Sequence, residues 1–159
     1  MEELQYMAHL QEGGWTLDQV RARYEDRRDA QRRQTALDFS ISNKLTGEIV
    51  GDCGFKNVNL IHKNAEFGLI IHHPFWGKGV CAECHLLCFD YAFSVLMLHR
   101  IMMKTFVTNV RMRGFFEKIG IKQEGIKKEC FFHNGKFFDD AVYTKNSGSS
   151  LDMSQFNAV

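Results

Sequence analysis

A strand, a glycine loop and a helix follow one another over residues 66–93, and this order constrains the fold more than any other feature. The apolar run 66–71 has the length of a strand, and residues 80–93 have the composition of a helix. In this layout the loop amides and the first helical N–H groups converge on an anion, usually a phosphate. Gly77 and Gly79 permit backbone angles that a side chain would forbid. The segment therefore predicts a phosphate-binding loop, with a plain tight turn as the alternative.

Composition limits the class of protein. A chain of 159 residues with 45% apolar and 25% charged residues predicts one globular domain, which we expect over residues 1–145, with a polar flexible tail over 146–159. The net charge of +1 gives no overall field that attracts nucleic acid or an anionic membrane, so neither partner is expected. No apolar run is long enough to cross a bilayer, and the N-terminus lacks a signal-peptide profile. Five cysteines without disulfide-type spacing predict a reducing, cytoplasmic location.

Periodicity and turn residues predict the order of elements around that loop. A helix over 16–34 with Thr16 as its N-cap comes first, and strands over 37–42, 48–59 and 65–72 form an antiparallel meander. After the loop and its helix we expect a strand over 100–108, a helix over 109–119 ended by Gly120, and a hairpin. The hairpin strands, 124–133 and 136–144, flank Asn134-Gly135.

The helix after the loop contains the motif Cys-x-x-Cys-His, formed by Cys81, Cys84 and His85. This motif is the attachment signature of c-type haem, and clustered cysteine and histidine also suggest zinc. However, Cys81, Cys84 and Cys88 share one helix face, and no second Cys-x-x-Cys pair completes a tetrahedral site. Free cysteine behaves as a small apolar residue when it is buried. We therefore expect the cysteines to be packing residues, and we expect neither a metal nor haem as cofactor.

Three segments now stand in a recognisable order: the loop 76–81 (W-G-K-G-V-C), Asn109 with the segment 116–121, and the hairpin residues 134–136. Together they resemble the GNAT superfamily of acyl-CoA N-acyltransferases, over about residues 16–144. The chain is most similar to the spermidine and ribosomal-protein alanine N-acetyltransferases within that superfamily. The resemblance implies an α/β fold with a mixed, mostly antiparallel central sheet and flanking helices. It also implies acetyl-CoA as co-substrate.

The resemblance further implies which residues bind the coenzyme. The loop amides would hold the pyrophosphate, the strand before the loop would pair with the pantetheine arm, and one amide there would polarise the thioester carbonyl. A primary amine would attack the thioester directly, without a covalent enzyme intermediate. The implied coenzyme-binding residues are Leu69, Ile70, Ile71, Trp76, Gly77, Lys78, Gly79, Val80, Cys81, Ala82, Asn109 and Phe116.

Glu66 is the candidate catalytic residue, because it precedes the coenzyme site and matches the Ala-Glu-Phe of the polyamine-acetylating branch. It would bind or deprotonate the acceptor, which is a polyamine, another small amine or a peptide N-terminus. The alternative is a solvated strand carboxylate. The family often has a proton-donating Tyr where this chain has Phe116, or a Ser where it has Met112, so no general acid is identifiable. An acyl-CoA-binding module with little or no turnover is therefore the second functional hypothesis.

Residues 1–14 are too short to supply the strand and helix that open the family's fold, so we expect the fold to lack them. Either the chain is truncated or a partner subunit covers the open sheet edge, since an unpaired edge invites association. The second case predicts a homodimer.

Overall fold

The computed structural model of the chain describes residues 16–149 and Leu151. Within this part, the helices are α1 (Leu17–Arg32), α2 (Val80–Asp90) and α3 (Val110–Lys118), with a 3-10 turn at His73–Phe75 and a π turn at Tyr91–Val95. The strands are β1 (Ala36–Ser42), β2 (Ile49–Asn59), β3 (Asn64–Ile71), β4 (Arg100–Phe106), β5 (Lys122–His133) and β6 (Lys136–Asn146). The expected absence of a first strand and helix concerns residues 1–14, which lie outside the described residues.

The six strands form one sheet in the order β1-β2-β3-β4-β6-β5. β1, β2 and β3 are an antiparallel meander, β3 and β4 are parallel, and β6 pairs antiparallel with both β4 and β5. The parallel pair requires a crossover, which α2 provides. This is the mixed, mostly antiparallel sheet with flanking helices that the sequence predicts.

Local sequence signals set the ends of several elements. Thr16 accepts a hydrogen bond from the backbone N–H of Gln19 while the Gln19 side chain accepts from the Thr16 N–H, which makes a capping box at the start of α1. Asn109 caps α3 by a single bond, in which its Oδ1 accepts from the backbone N–H of Met112. Asn134 and Gly135 have φ angles of 49° and 72°, the left-handed values that a two-residue hairpin turn needs. The sequence predictions for these helix starts and for the hairpin are confirmed.

The parallel pairing of β3 and β4 stops after three residue pairs, which are Asn64–Arg100, Ala65–Ile101 and Glu66–Met102. Both strands continue beyond this point, β3 to Ile71 and β4 to Phe106. Their outer edges stay paired, β3 with β2 and β4 with β6. The facing edges therefore diverge and leave an opening in the middle of the sheet, beside the strand that the resemblance expects to pair with the pantetheine arm.

Aromatic packing fixes α2 and α3 against the sheet beside this opening. The Phe67 ring on β3 lies 5.2 Å from the Phe55 ring on β2 and 5.4 Å from the Phe89 ring on α2. On α3, the Phe116 ring lies 4.7 Å from the Tyr143 ring on β6. All five side chains are buried. Because such interiors are close-packed, they hold the two diverging strands in place on both sides of the gap.

β1 and β2 approach each other closely at Gly54, and a substitution there tests the described pairing of these two strands. A Cβ on Gly54 would lie 2.3 Å from the carbonyl oxygen of Leu37, whereas a Cβ on Gly68 would meet nothing within 4 Å. We expect Gly54→Ala to lower the free energy of unfolding by about 1–3 kcal/mol, the usual cost of overpacking. The matched control Gly68→Ala should be neutral or stabilising by about 0.5 kcal/mol, because alanine restricts the unfolded chain. Urea unfolding measures both, and equal losses of stability would contradict the described register.

Candidate active site

A cavity of about 630 Å³ occupies the gap between the diverging strands. Its walls are residues 67–71 of β3, residues 103–105 of β4, the loop that leads into α2, and the first two turns of α3. The cavity is closed at one end, where β3 and β4 come together, and its other end lies at the loop that follows β3. The cavity is therefore elongated along the strands, with a backbone edge on each side.

The loop at the open end has the geometry of an anion site. Gly77 and Gly79 have φ angles of 75° and 82°, left-handed values that are strained for other residues. Gly79 is the N-cap of α2 and offers no side chain to the first helical N–H groups. Those N–H groups have no partner inside the helix, and the positive end of the helix dipole lies there. The loop can therefore bind a phosphate or diphosphate mainly through its amides.

Trp76 closes the loop against the end of β3. Its indole Nε1 donates a hydrogen bond to the carbonyl oxygen of Ile71 at 2.7 Å, and its ring lies 4.7 Å from the His73 ring. The guanidinium of Arg111, on α3, lies 4.7 Å from the centre of the Trp76 ring. Arg111 also lines the cavity, and our sequence analysis missed it. It thus brings a fixed positive charge from the opposite wall to the phosphate-binding loop.

The cavity brings together most of the residues that the sequence nominated for coenzyme binding. All of them line the cavity except Lys78 and Val80. The Lys78 ammonium lies 5.3 Å from the centre of the Phe75 ring, at the surface of the loop. Val80 is the first residue of α2, so its backbone N–H is the group that it offers to the candidate anion site.

His85 lies in the cavity wall as a buried, neutral imidazole. Its Nδ1 is 2.8 Å from the carbonyl oxygen of Cys81, and a carbonyl only accepts, so Nδ1 carries the proton. Burial lowers the pKa of His85 to about 4, although the bond to Cys81 acts in the opposite direction. The rings of Phe67, Phe89, Phe115 and Phe116 surround it at 5.0–5.8 Å. His85 and Cys81 are thus the residues of the Cys-x-x-Cys-His motif that line the candidate site.

The structure places Glu66 at the closed end of the cleft, buried and bound by two lysines. One carboxylate oxygen is 2.9 Å from Lys56 Nζ and the other is 2.7 Å from Lys104 Nζ. Burial alone would raise the pKa of Glu66, but the hydrogen bonds from Lys104 and Lys56 outweigh it and lower the pKa below its usual range. A general base needs a pKa near the working pH. This geometry argues against Glu66 as the base, and its exposure of 5% argues against a solvated strand carboxylate.

Among the described residues, none that lines the cavity is a tyrosine that could replace the missing proton donor. Phe116 and Met112 line the cavity where the resemblance would place a protic group. The phenol of Tyr143 lies behind Phe116, where Arg113 Nε donates to its oxygen at 3.3 Å and Gln123 accepts from it at 3.4 Å. Tyr143 is not among the lining residues. The thiol of Cys81 does line the cavity, but burial raises its pKa to about 12, which makes it a poor nucleophile at neutral pH.

Two further findings concern other kinds of site. Across residues 16–149 and Leu151, no three histidine, cysteine, aspartate or glutamate side chains are grouped to hold a metal ion. In the same part of the chain, none of the helices is both long enough and apolar enough to cross a membrane. All five cysteines are free, and the sulfur atoms of Cys53 and Cys88 lie 3.6 Å apart.

Comparison with known proteins identifies the family. Residues 2–122 match the family model described as the acetyltransferase (GNAT) domain, which is more than half of the 159 residues. The chain therefore belongs to the GNAT acetyltransferase domain family. This agrees with the glycine loop, the interrupted parallel pair and the elongated cavity described above.

Among curated proteins, the chain is 34% identical over 91 residues to the spermidine N(1)-acetyltransferase of Vibrio cholerae. The aligned residues make up 57% of this chain and 53% of that protein. It is 32% identical over 91 residues to the spermidine N(1)-acetyltransferase of Escherichia coli strain K12, which covers 57% of this chain and 49% of that protein. The chain thus spans about half the length of these relatives.

Solved structures agree with the fold. A chimera of the Vibrio cholerae spermidine N-acetyltransferase superposes with a TM-score of 0.75 at 26% identity, which covers 83% of this chain and 78% of that one. The Vibrio cholerae spermidine N-acetyltransferase in complex with CoA and spermine gives a TM-score of 0.80 at 24% identity, with 98% and 86% covered. The second likeness is evidence for the fold alone.

The pKa of His85 makes a prediction about stability. The folded chain keeps this imidazole neutral down to about pH 4, while in the unfolded chain it takes up a proton near its ordinary pKa of 6.5. Stability contributed by His85 should therefore decrease as the pH falls through this window, by about 3 kcal/mol at most. We expect His85→Leu to show a shallower loss of unfolding free energy between pH 7 and pH 4 in urea titrations. His62→Leu, at an exposed turn position, should keep the wild-type slope, and equal slopes for all three proteins would refute the assignment.

Proposed function

We propose that this chain transfers an acetyl group from acetyl-CoA to a primary amine, by direct attack of the amine on the thioester. The acceptor is a polyamine, another small amine or a protein N-terminus. The observation that carries the proposal is the three-residue pairing of β3 and β4, after which a cavity opens between two backbone edges and ends at a glycine loop. Membership of the GNAT acetyltransferase domain family supports the same reaction.

In this proposal the coenzyme lies along the cavity. Its diphosphate binds the amides of the loop and of the α2 N-terminus, and Arg111 adds a positive charge from α3. The pantetheine arm enters the gap as an extra strand and satisfies the facing backbone groups of β3 and β4. Asn109 Oδ1 already accepts a bond from the Met112 N–H at 3.1 Å, so the amide nitrogen of Asn109 is left to donate to the arm.

The proposed reaction needs little from side chains. A backbone N–H at the gap binds the thioester oxygen as it becomes an oxyanion. The amine forms a C–N bond, the C–S bond breaks, the amine proton passes to water, and the coenzyme leaves as a thiolate. Holding both reactants in a closed cleft can itself supply a large part of the rate enhancement. Cys81 takes no covalent part, because its thiol stays protonated near neutral pH.

A second candidate function is an acyl-CoA-binding module with little or no turnover. The observation that favours it is the apolar wall at Phe116 and Met112, neither of which can donate a proton to a leaving thiolate. The same loop, cavity and backbone edges would serve binding alone. The two candidates differ in one measurable property, which is the release of free coenzyme A when an amine is added.

We also propose that the chain works in the cytoplasm as a homo-oligomer. Five free cysteines suit a reducing compartment. A spermidine N-acetyltransferase from Vibrio cholerae forms a dodecamer, and β1 is an edge strand of the described sheet. An exposed edge favours association with a second chain.

Binding of acetyl-CoA at the loop can be tested with two glycines that share one backbone conformation. Gly79 and Gly47 have φ angles of 82° and 73°, and a Cβ on either would meet nothing within 4 Å. Only Gly79 lines the cavity. We expect Gly79→Trp to weaken acetyl-CoA binding in calorimetry at least about tenfold, because the indole fills the anion site. Gly47→Trp should leave the affinity unchanged, and an unchanged affinity in Gly79→Trp would refute the proposed coenzyme site.

Turnover can be tested by restoring a proton donor. Phe116→Tyr places a phenol in the cavity wall, and general acid catalysis contributes roughly 10²–10⁴-fold where it is well placed. We therefore expect Phe116→Tyr to raise kcat for coenzyme A release by about tenfold or more. Phe115→Tyr, which adds the same group to the neighbouring lining ring, should have little effect. If acetyl-CoA binds but neither the wild type nor Phe116→Tyr releases coenzyme A with any amine, the binding module is the better description.

A further inference from the structure

We infer that the acceptor is a monoamine whose remaining part is neutral or negatively charged, and that Lys104 is the residue that selects against polyamines. This inference rests on the proposed function, because it assumes that the coenzyme lies along the cavity with its diphosphate at the loop. It goes further by naming the class of acceptor and a specificity-determining residue. It also separates this chain from the relatives whose names specify spermidine.

The closed end of the cleft is where the acceptor must meet the thioester. The loop holds the diphosphate at the open end, so the acyl end of the coenzyme extends towards the point where β3 and β4 rejoin. That point is the Glu66–Met102 pair. Lys104 follows Met102 on β4 by two residues and lines the cavity. The pairing therefore places Lys104 and its partner Glu66 at the end of the cleft where the acyl group would lie.

The charge at this end is positive. Glu66 has both carboxylate oxygens occupied, one by Lys56 Nζ at 2.9 Å and one by Lys104 Nζ at 2.7 Å. One carboxylate and two ammonium groups leave a net charge of about +1, and the carboxylate side chain is only 6% exposed. Glu66 is thus a positioning residue for the Lys104 ammonium. Because its negative charge is already paired with two ammonium groups, Glu66 attracts a further cation less strongly than an unpaired carboxylate would.

The other described residues of the cavity wall add positive charge and no negative charge to balance it. The basic lining side chains besides Lys104 are Arg111, His85 and Lys118, and His85 is neutral. Arg111 lies by the Trp76 loop, at the coenzyme end. None of the lining residues identified in the described part of the chain is an aspartate or a glutamate. A polyamine would therefore bring additional ammonium groups into a wall that offers them no carboxylate.

Two physical effects follow for the acceptor. A fixed cation disfavours any further cation nearby, so a second ammonium group on the acceptor lowers its affinity. The same cation lowers the pKa of the reacting amine, which increases the fraction that is deprotonated and nucleophilic without a dedicated base. The Lys104 ammonium has three donor hydrogens, and Glu66 takes only one of them in the structure. The others can bind an anionic group that the acceptor carries beside its amine.

The experiment compares three acceptors of equal chain length that differ in the charge of the far end: butylamine, putrescine and γ-aminobutyrate. At saturating acetyl-CoA, we expect kcat/KM for putrescine to be at least about tenfold below that for butylamine. Spermidine should be no better than putrescine, and γ-aminobutyrate should equal or exceed butylamine. A free acidic amino acid and a tripeptide with an acidic N-terminal residue then distinguish a small-molecule acceptor from a peptide. A wild-type preference for putrescine or spermidine over butylamine would overturn the inference.

Variants assign the selection to Lys104. Lys104→Met should reduce the discrimination between butylamine and putrescine about tenfold, because one positive charge is removed at the closed end. Lys104→Arg should retain it, since the charge is kept. Lys44→Met, at an exposed position in the turn between β1 and β2 that does not line the cavity, makes the same change in net charge and should leave the ratio unchanged. An unaltered ratio in folded Lys104→Met, with its melting temperature checked, would contradict the role of Lys104.

A binding measurement keeps this test separate from the test of turnover. The same three amines are titrated by calorimetry into the protein saturated with coenzyme A, with the wild type and Lys104→Met in parallel. If no amine is acetylated but putrescine binds more weakly than butylamine only when Lys104 is present, the proposed reaction fails and the inference about the acceptor site stands. If putrescine binds as tightly as butylamine to the wild type, the inference fails whatever the turnover.

Discussion

Three residue pairs hold β3 and β4 together, and the candidate site depends on where that pairing ends. Beyond Glu66–Met102 each strand keeps its outer partner, so the sheet remains continuous on both sides while its centre is open. Unpaired backbone N–H and C=O groups inside a protein must find other partners. A ligand with alternating amide groups, such as pantetheine, can supply them. The gap is thus an interruption of the sheet and a candidate binding surface for such a ligand.

Packing explains why the gap does not close. The rings of Phe55, Phe67 and Phe89 hold β3 against β2 and α2, while Phe116 and Tyr143 hold α3 against β6. Each group is anchored on a different side of the cleft, and both are buried. Bringing β3 and β4 together along their full length would require these aromatic clusters to move as units. Because close-packed cores resist such movement, the separation of the strands is maintained without a ligand.

Sequence patterns predicted the parts of this protein that depend on near neighbours. The capping box at Thr16, the cap at Asn109 and the turn at Asn134-Gly135 are decided by residues within a few positions, so their signals are local. The roles of Glu66 and His85 are decided by distant partners. The sequence predicts that Glu66 binds or deprotonates the acceptor, but Lys56 and Lys104 come to it from two other strands, and no periodicity reveals those contacts.

The role of His85 is a second example that the sequence pattern alone does not reveal. In the sequence it completes a Cys-x-x-Cys-His motif and suggests metal or haem. In the structure its Nδ1 is bound to the carbonyl of Cys81 and four phenylalanine rings enclose it, which only the packing of α2 against β3 and α3 produces. The sequence contained a weak signal for Arg111, which is a basic residue two positions after Asn109, the cap of α3. In the structure Arg111 faces the glycine loop.

The distribution of the five thiols has a practical consequence for chemical labelling. Cys130 on β5 is exposed, Cys53 and Cys84 are buried, and Cys81 and Cys88 are partly covered. Reagents that alkylate thiolates need both access and deprotonation, and the raised pKa of Cys81 withholds the second inside the cavity. Cys130 is therefore the thiol that a maleimide dye or spin label reaches most readily. That position is on an outer strand of the sheet, where the attached group leaves the cleft unobstructed.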